Sequence, residues 1–130
     1  MKKLYSITKS KKIAYVNCSN GEFINNGVSL FETLFKEVST YNKFYDFILN
    51  YENNINNFDL IIIDGSDINN INNLISFIKE LKIEQKIIMY SAYRNIKFIN
   101  NLLDLGVDDY LNRPLRKEEI ERVFKYNLED

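Results

Sequence analysis

The sequence predicts a doubly wound α/β fold: one five-stranded parallel sheet with five helices, in three layers. Three observations carry this. The first is Leu60-Ile61-Ile62-Ile63, an apolar run closed by Asp64 and followed at once by Gly65, Ser66 and Asp67. An apolar run without alternation is covered on both faces, as in the centre of a parallel sheet. The second is a similar run, Ile87-Ile88-Met89-Tyr90, ending in Ser91-Ala92. The third is the fivefold alternation of strand-like segments with stripes of apolar residues at helical spacing. Each crossover is long enough for a right-handed parallel connection.

Met1 to Lys11 is polar and basic and reads as a lead-in, so the domain is expected over 12–128. Ile13-Ala14-Tyr15-Val16 is a short apolar strand, ended by the turn formers Asn17-Cys18-Ser19-Asn20-Gly21. Val28, Phe31, Leu34, Phe35 and Val38 mark the first helix, and a short strand is expected over Val38 to Asn42. Phe44, Phe47, Ile48 and Tyr51 form a second helical stripe, closed by the loop Asn53 to Asn57. After the central strand, Ile71, Leu74, Ile75, Ile78 and Leu81 make a third helix, with Asp67, Asn69 or Asn70 as its cap. Ile96, Ile99, Leu102 and Leu103 follow as a fourth, stopped by Gly106 with Val107 beyond it, the pattern of a glycine C-cap with its hydrophobic contact. Tyr110-Leu111 is a short strand broken by Pro114. Lys117 to Tyr126 is the last helix, with Ile120, Val123 and Phe124 inward.

Composition narrows the function classes. At 130 residues with 45% hydrophobic and 27% charged residues, the chain is expected to be one globular domain. A net charge of −1 argues against a sequence-independent nucleic-acid binder, which would show a basic face. No apolar stretch approaches the roughly 20 residues of a membrane helix, and the N-terminus lacks a signal peptide's apolar core. The one cysteine, Cys18, cannot form an internal disulfide and suits a reducing cytoplasm. Without histidine, Ser-His-Asp and Cys-His catalysis are absent and a zinc site is disfavoured. An enzyme is not expected. Cys18 suggests a phosphatase loop of the Cys-x5-Arg type, but Ile24 stands where the arginine is needed. Asn17 to Phe23 also lacks the Ser/Thr-rich loop of a flavin site.

Parallel strands place their carboxyl ends on one sheet edge, where ligands collect in open α/β folds. Asn17-Cys18, Asp64, Ser91 and Asn112-Arg113-Pro114 are the four ends concerned. With Asp59 to Asp64, Ile87 to Ala92 and above all Gly106-Val107-Asp108-Asp109-Tyr110-Leu111-Asn112-Arg113-Pro114-Leu115, the chain resembles the receiver domain of bacterial two-component response regulators. The likeness spans roughly Lys12 to Leu128 and implies a flavodoxin-like sheet. It implies that Asp64 accepts a phosphoryl group from a kinase histidine. Ser91 and Ala92 would then contact that group, and Tyr110 would turn inward as the Ser91 hydroxyl moves. Such an acyl phosphate adds about −1.5 to −2 charges, which need donors and cations around them.

Two departures bear on that chemistry. The acidic pair that holds Mg²⁺ in the family is replaced by Asn17-Cys18, and a thiol is a poor ligand for a hard ion. The usual lysine is replaced by Arg113, a planar, permanently charged group able to grip a carboxylate. Arg113 is therefore expected beside Asp64, in the metal's place. The resemblance leaves Asp64, Ser66 and Asn17 as metal-site positions, with Mg²⁺ bound weakly or not at all. It implies a sensor histidine kinase or phosphotransfer protein as donor, a downstream protein or output domain as receiver of the signal, and scope for a homodimer. Nucleic acid and membrane are not expected partners. The alternative is a pseudo-receiver, an interaction module independent of phosphorylation, in which Asp64 and Arg113 imitate one signalling state.

Overall fold

The computed structural model describes residues 2–18, 28–65, 67–91 and 95–129. Ser66 and Ala92, like the turn Ser19 to Gly21 and Ile24, lie outside the described residues. The strands are β1 (Lys12–Asn17), β2 (Glu37–Tyr41), β3 (Leu60–Asp64), β4 (Ile87–Ser91) and β5 (Asp109–Asn112). The helices are α1 (Lys2–Thr8), α2 (Val28–Leu34), α3 (Phe44–Tyr51), α4 (Ile68–Leu81), α5 (Ile96–Leu105) and α6 (Lys117–Leu128). All strand pairs are parallel, in the order β2-β1-β3-β4-β5. The order reverses between β1 and β3, which opens a crevice at their carboxyl ends.

Side chains alternate faces along a strand, so the sheet divides its apolar residues between two cores. Ile61 and Ile63 of β3 join Ala14, Val16, Ile87, Met89 and Tyr110 under α3, α4 and α5. Leu60 and Ile62 join Ile13, Tyr15, Ile88, Tyr90 and Leu111 under α1, α2 and α6. Every residue of β3 and β4 is buried, which accounts for their unbroken apolar runs. Each aliphatic side chain there contributes roughly 1.5–3 kcal/mol by leaving water.

Helix ends follow local chemistry. Asp67 caps α4 and accepts from the Asn70 backbone N–H at 3.3 Å, so the cap falls on the first of its three candidates. Asn95 caps α5, accepting from the N–H groups of Lys97 and Phe98 at 2.9 and 3.3 Å. Gly106 ends α5 at φ +114°, and Val107 N–H donates back to the Leu102 carbonyl at 3.0 Å.

The helix count departs from the expectation of five. Residues 2–8, read from sequence as part of a lead-in, form α1 and pack against α6. Leu4 is buried in the α2/α6 core, Ile7 packs against it, and the Thr8 hydroxyl donates to the Leu34 carbonyl at 2.8 Å. Two apolar residues and one hydroxyl anchor an otherwise polar segment. In α5 the inward residues are Phe98 and Leu102; Ile96 and Leu103, expected inward, are 74% and 44% exposed.

Candidate functional site

Strand register brings the site together. Asn17 lies opposite Asp64, Asp64 opposite Tyr90, and Ser91 opposite Asn112, so all four carboxyl ends share one edge. Asp64 ends a strand buried on both faces and is itself only 6% exposed. A carboxylate taken that far from water needs charged or hydrogen-bonding partners. It has both. Arg113 Nη2 donates to Asp64 Oδ2 at 2.6 Å, a charge-assisted bond, and the Tyr15 hydroxyl donates to the same oxygen.

The arginine is held from three sides. Its guanidinium carbon lies 4.4 Å from the centroid of the Tyr90 ring, a cation–π contact. Its backbone N–H donates to the Ser91 carbonyl at 3.1 Å. Asn112, just before it, donates through its backbone N–H and its side-chain amide to the two carboxylate oxygens of Glu119, both at 2.6 Å. Glu119 lies in the first turn of α6, so that helix fixes the end of β5. The Arg113-Pro114 peptide bond is cis. Burial acts to lower the guanidinium's pKa, but the adjacent Asp64 carboxylate outweighs it and leaves the group above its ordinary value.

Ser91 is 4% exposed and Tyr110 8%, with the Tyr110 hydroxyl donating to the Ser91 carbonyl at 3.3 Å. Tyr110 is thus turned inward, packed among the residues under α4 and α5. Asn17 reaches the edge, but its side-chain amide donates to the Asn42 carbonyl at 3.1 Å. Cys18 forms part of the frame: its N–H donates to the Asp64 carbonyl at 2.7 Å, and its own carbonyl accepts from Asp67 N–H at 3.2 Å. Burial, then the nearby Asp67 and Asp64, push its thiol up to about 12, which keeps it protonated and chemically quiet.

Among the described residues this set is poor in ligands for Mg²⁺. The ion wants several oxygen ligands in near-octahedral array. Here Asp64 Oδ2 accepts from two donors, Cys18 offers a buried protonated thiol, and Asn17 offers only a neutral amide whose nitrogen donates to Asn42. Among the described residues no group of three or more Cys, Asp or Glu side chains is placed to hold a metal ion.

Of the positions named from sequence, Asp64 and Arg113 meet directly, and Tyr110 meets the Ser91 backbone. Tyr15 and Tyr90 were missed. Strand alternation sets the face each occupies, and only the register of the folded sheet shows what that face reaches. They share a face with Leu60, Ile62 and Leu111, and that face runs on to Asp64 and Arg113. A buried phenol also needs an acceptor.

No protein-family model matches the chain, and no curated protein matches it in sequence. Solved structures do match it in fold. The non-phosphorylated receiver domain of HemR from Leptospira biflexa aligns with a TM-score of 0.73 at 16% identity, over 93% of this chain and 96% of that one. The receiver domain of the histidine kinase CKI1 from Arabidopsis thaliana, complexed with Mg²⁺ and BeF₃⁻, aligns with a TM-score of 0.70 at 15% identity, over 95% of each chain. A pilus assembly-related protein from Burkholderia pseudomallei aligns with a TM-score of 0.73 at 16% identity, covering 91% of this chain and 89% of that one. The chain has the flavodoxin-like fold of receiver domains. Among the described residues no helix is long and apolar enough to cross a membrane.

Proposed function

We propose that this chain is a receiver-type signalling module that works as a pseudo-receiver, binding a partner protein without phosphorylation of Asp64. The observation that carries this reading is the contact of Arg113 with Asp64 Oδ2 at 2.6 Å, reinforced by Tyr15 on the same oxygen. A resident cation takes the role that a metal has in the family. Two unit charges about 4 Å apart attract by roughly 4 kcal/mol at an effective dielectric near 20, before desolvation is subtracted. A phosphoryl donor therefore meets a nucleophile already neutralised and hydrogen-bonded. The inward Tyr110 agrees with a switch resting in one arrangement.

In this reading the partner is a downstream protein or output domain, the module is not an enzyme, and it works in the cytoplasm without nucleic acid or membrane. Self-association into a homodimer is compatible with it.

A second reading is favoured by the meeting of Asp64, Ser91, Tyr110 and Arg113 at one edge. In that reading a sensor histidine kinase or phosphotransfer protein phosphorylates Asp64 with little help from Mg²⁺. Arg113 would leave the carboxylate to meet the phosphoryl oxygens, whose greater charge rewards the exchange. Intact-mass measurement after acetyl phosphate with Mg²⁺ separates the two. No added phosphoryl is expected. A phosphoryl adduct that Asp64→Asn abolishes would establish the second reading and overturn the first.

A further inference from the structure

We infer that Tyr15 is a positioning residue of this site: its phenol fixes the Asp64 carboxylate by Oδ2 and presents it to Arg113. The inference deepens the proposed function and rests on the Asp64–Arg113 pair being the site's resident state.

Tyr15 lies on β1 opposite Ile62, so it is diagonal to Asp64, one side-chain pair further along β3. Diagonal neighbours in a sheet are within reach of an aromatic side chain. The ring has little freedom to be elsewhere. It is fully buried, 5.7 Å from the Phe31 ring of α2 and 6.5 Å from the Tyr90 ring of β4, measured between centroids. Tyr90 in turn carries the Arg113 guanidinium on its face. Tyr15 thus holds the carboxylate directly, and Tyr90 holds the guanidinium. Burial first, and the negative Asp64 second, raise the phenol's pKa, so Tyr15 keeps its proton and remains a donor.

A buried phenol donates somewhere in any core. Tyr51, equally buried, donates to the neutral Gln85 amide at 2.8 Å, away from the strands' carboxyl edge. Tyr15 differs in donating to an ionised group that also carries a cation. Two donors converge on one oxygen.

Two measurements test this. In ¹³C-detected NMR of the full chain, Tyr15→Phe should move the Asp64 carboxyl resonance. The carboxyl resonances of Asp59 and Asp108, which accept from the backbone N–H groups of Lys12 and Ile87 at 2.8 Å, should stay. An unmoved Asp64 resonance overturns the assignment. In a double-mutant cycle, Tyr15→Phe should lower the folding constant about tenfold in the wild-type background. With Asp64→Ala it should be neutral or stabilising, because the phenol then has no carboxylate to serve. Equal losses in both backgrounds would make Tyr15 a packing residue only. The NMR comparison stands alone if Asp64→Ala fails to fold. Phosphorylation of wild-type Asp64 would defeat the proposed function and leave both readouts intact, since both use unmodified protein.

Discussion

Arg113 and Asp64 are linked by a short ion pair whose two halves differ in exposure, 22% for the arginine side chain and 8% for the aspartate. Removing the arginine therefore leaves a carboxylate in a place that water barely reaches. Breaking a buried pair on one side is costly because the surviving charge has no compensation. Arg113→Met keeps an apolar stem against Tyr90 and deletes only the charge. It should cost about 2–3 kcal/mol, the partial exposure of Arg113 holding it below the fully buried case. Adding Asp64→Asn should recover at least about 1 kcal/mol of that loss, a non-additivity that urea denaturation at constant m-value would register. Asp64, Ser91 and Arg113 were legible in the sequence because each closes a strand-like segment, where polar side chains are conspicuous. Tyr15 was not. Within Ile13-Ala14-Tyr15-Val16 a tyrosine reads as one more large apolar residue, and nothing local says where its hydroxyl goes.

Elements were legible where two signals coincided and obscure where there was one. α5 ends where glycine and a following valine predicted, and the reason can be tested. Gly106 has φ +114°, and a Cβ there would sit 3.0 Å from Lys79 Cε. Lys79 is itself held, donating to the Gln85 carbonyl at 2.6 Å and pairing with Asp108 at 3.8 Å. Gly106→Ala should destabilise by about 1–2 kcal/mol from the left-handed backbone alone, and Gly106→Asn by less, since asparagine tolerates that region better. Chemical denaturation of the two variants side by side would check the order. The stripe Ile96, Ile99, Leu102 and Leu103 marks α5, but only Leu102 and, in part, Ile99 face the core, where Phe98 joins them. Only the sheet decides which residues turn inward. α1 gave a weaker signal still: Leu4 and Ile7 stand alone among lysines and polar residues, and α6 and the end of α2 supply the partners. β2 was visible only as Val38 to Asn42, since an edge strand is half-covered and none of its residues is fully buried.

At the scale of the whole molecule, the two cores each hold acidic protons that folding prevents from leaving. Under α3 and α4, burial moves the Cys18 thiol from 9.0 to about 12 and the Tyr51 phenol from 10.0 to about 12. On the other face, burial raises the phenols of Tyr15 and Tyr90, with Asp64 adding to both. All four groups bind their protons more tightly in the folded chain than in the unfolded one. Stability falls with rising pH wherever the folded state holds more protons. The contribution of these groups is therefore complete below about pH 9, begins to be lost as the unfolded thiol ionises, and is lost faster once unfolded phenols ionise near 10. For Cys18 the slope of that loss is on the order of 1 kcal/mol per pH unit between its two values. The urea midpoint should fall from pH 9 to pH 11. Cys18→Ala should remove the part that begins at pH 9, and Tyr51→Phe should reduce the part that begins near 10, which Tyr15 and Tyr90 share. A midpoint that stays level across that window would mean that the thiol and phenols ionise as readily in the folded chain as in the unfolded one. The alkaline limb of the stability curve thus reports, for both faces of the sheet at once, how far folding keeps water from these four groups.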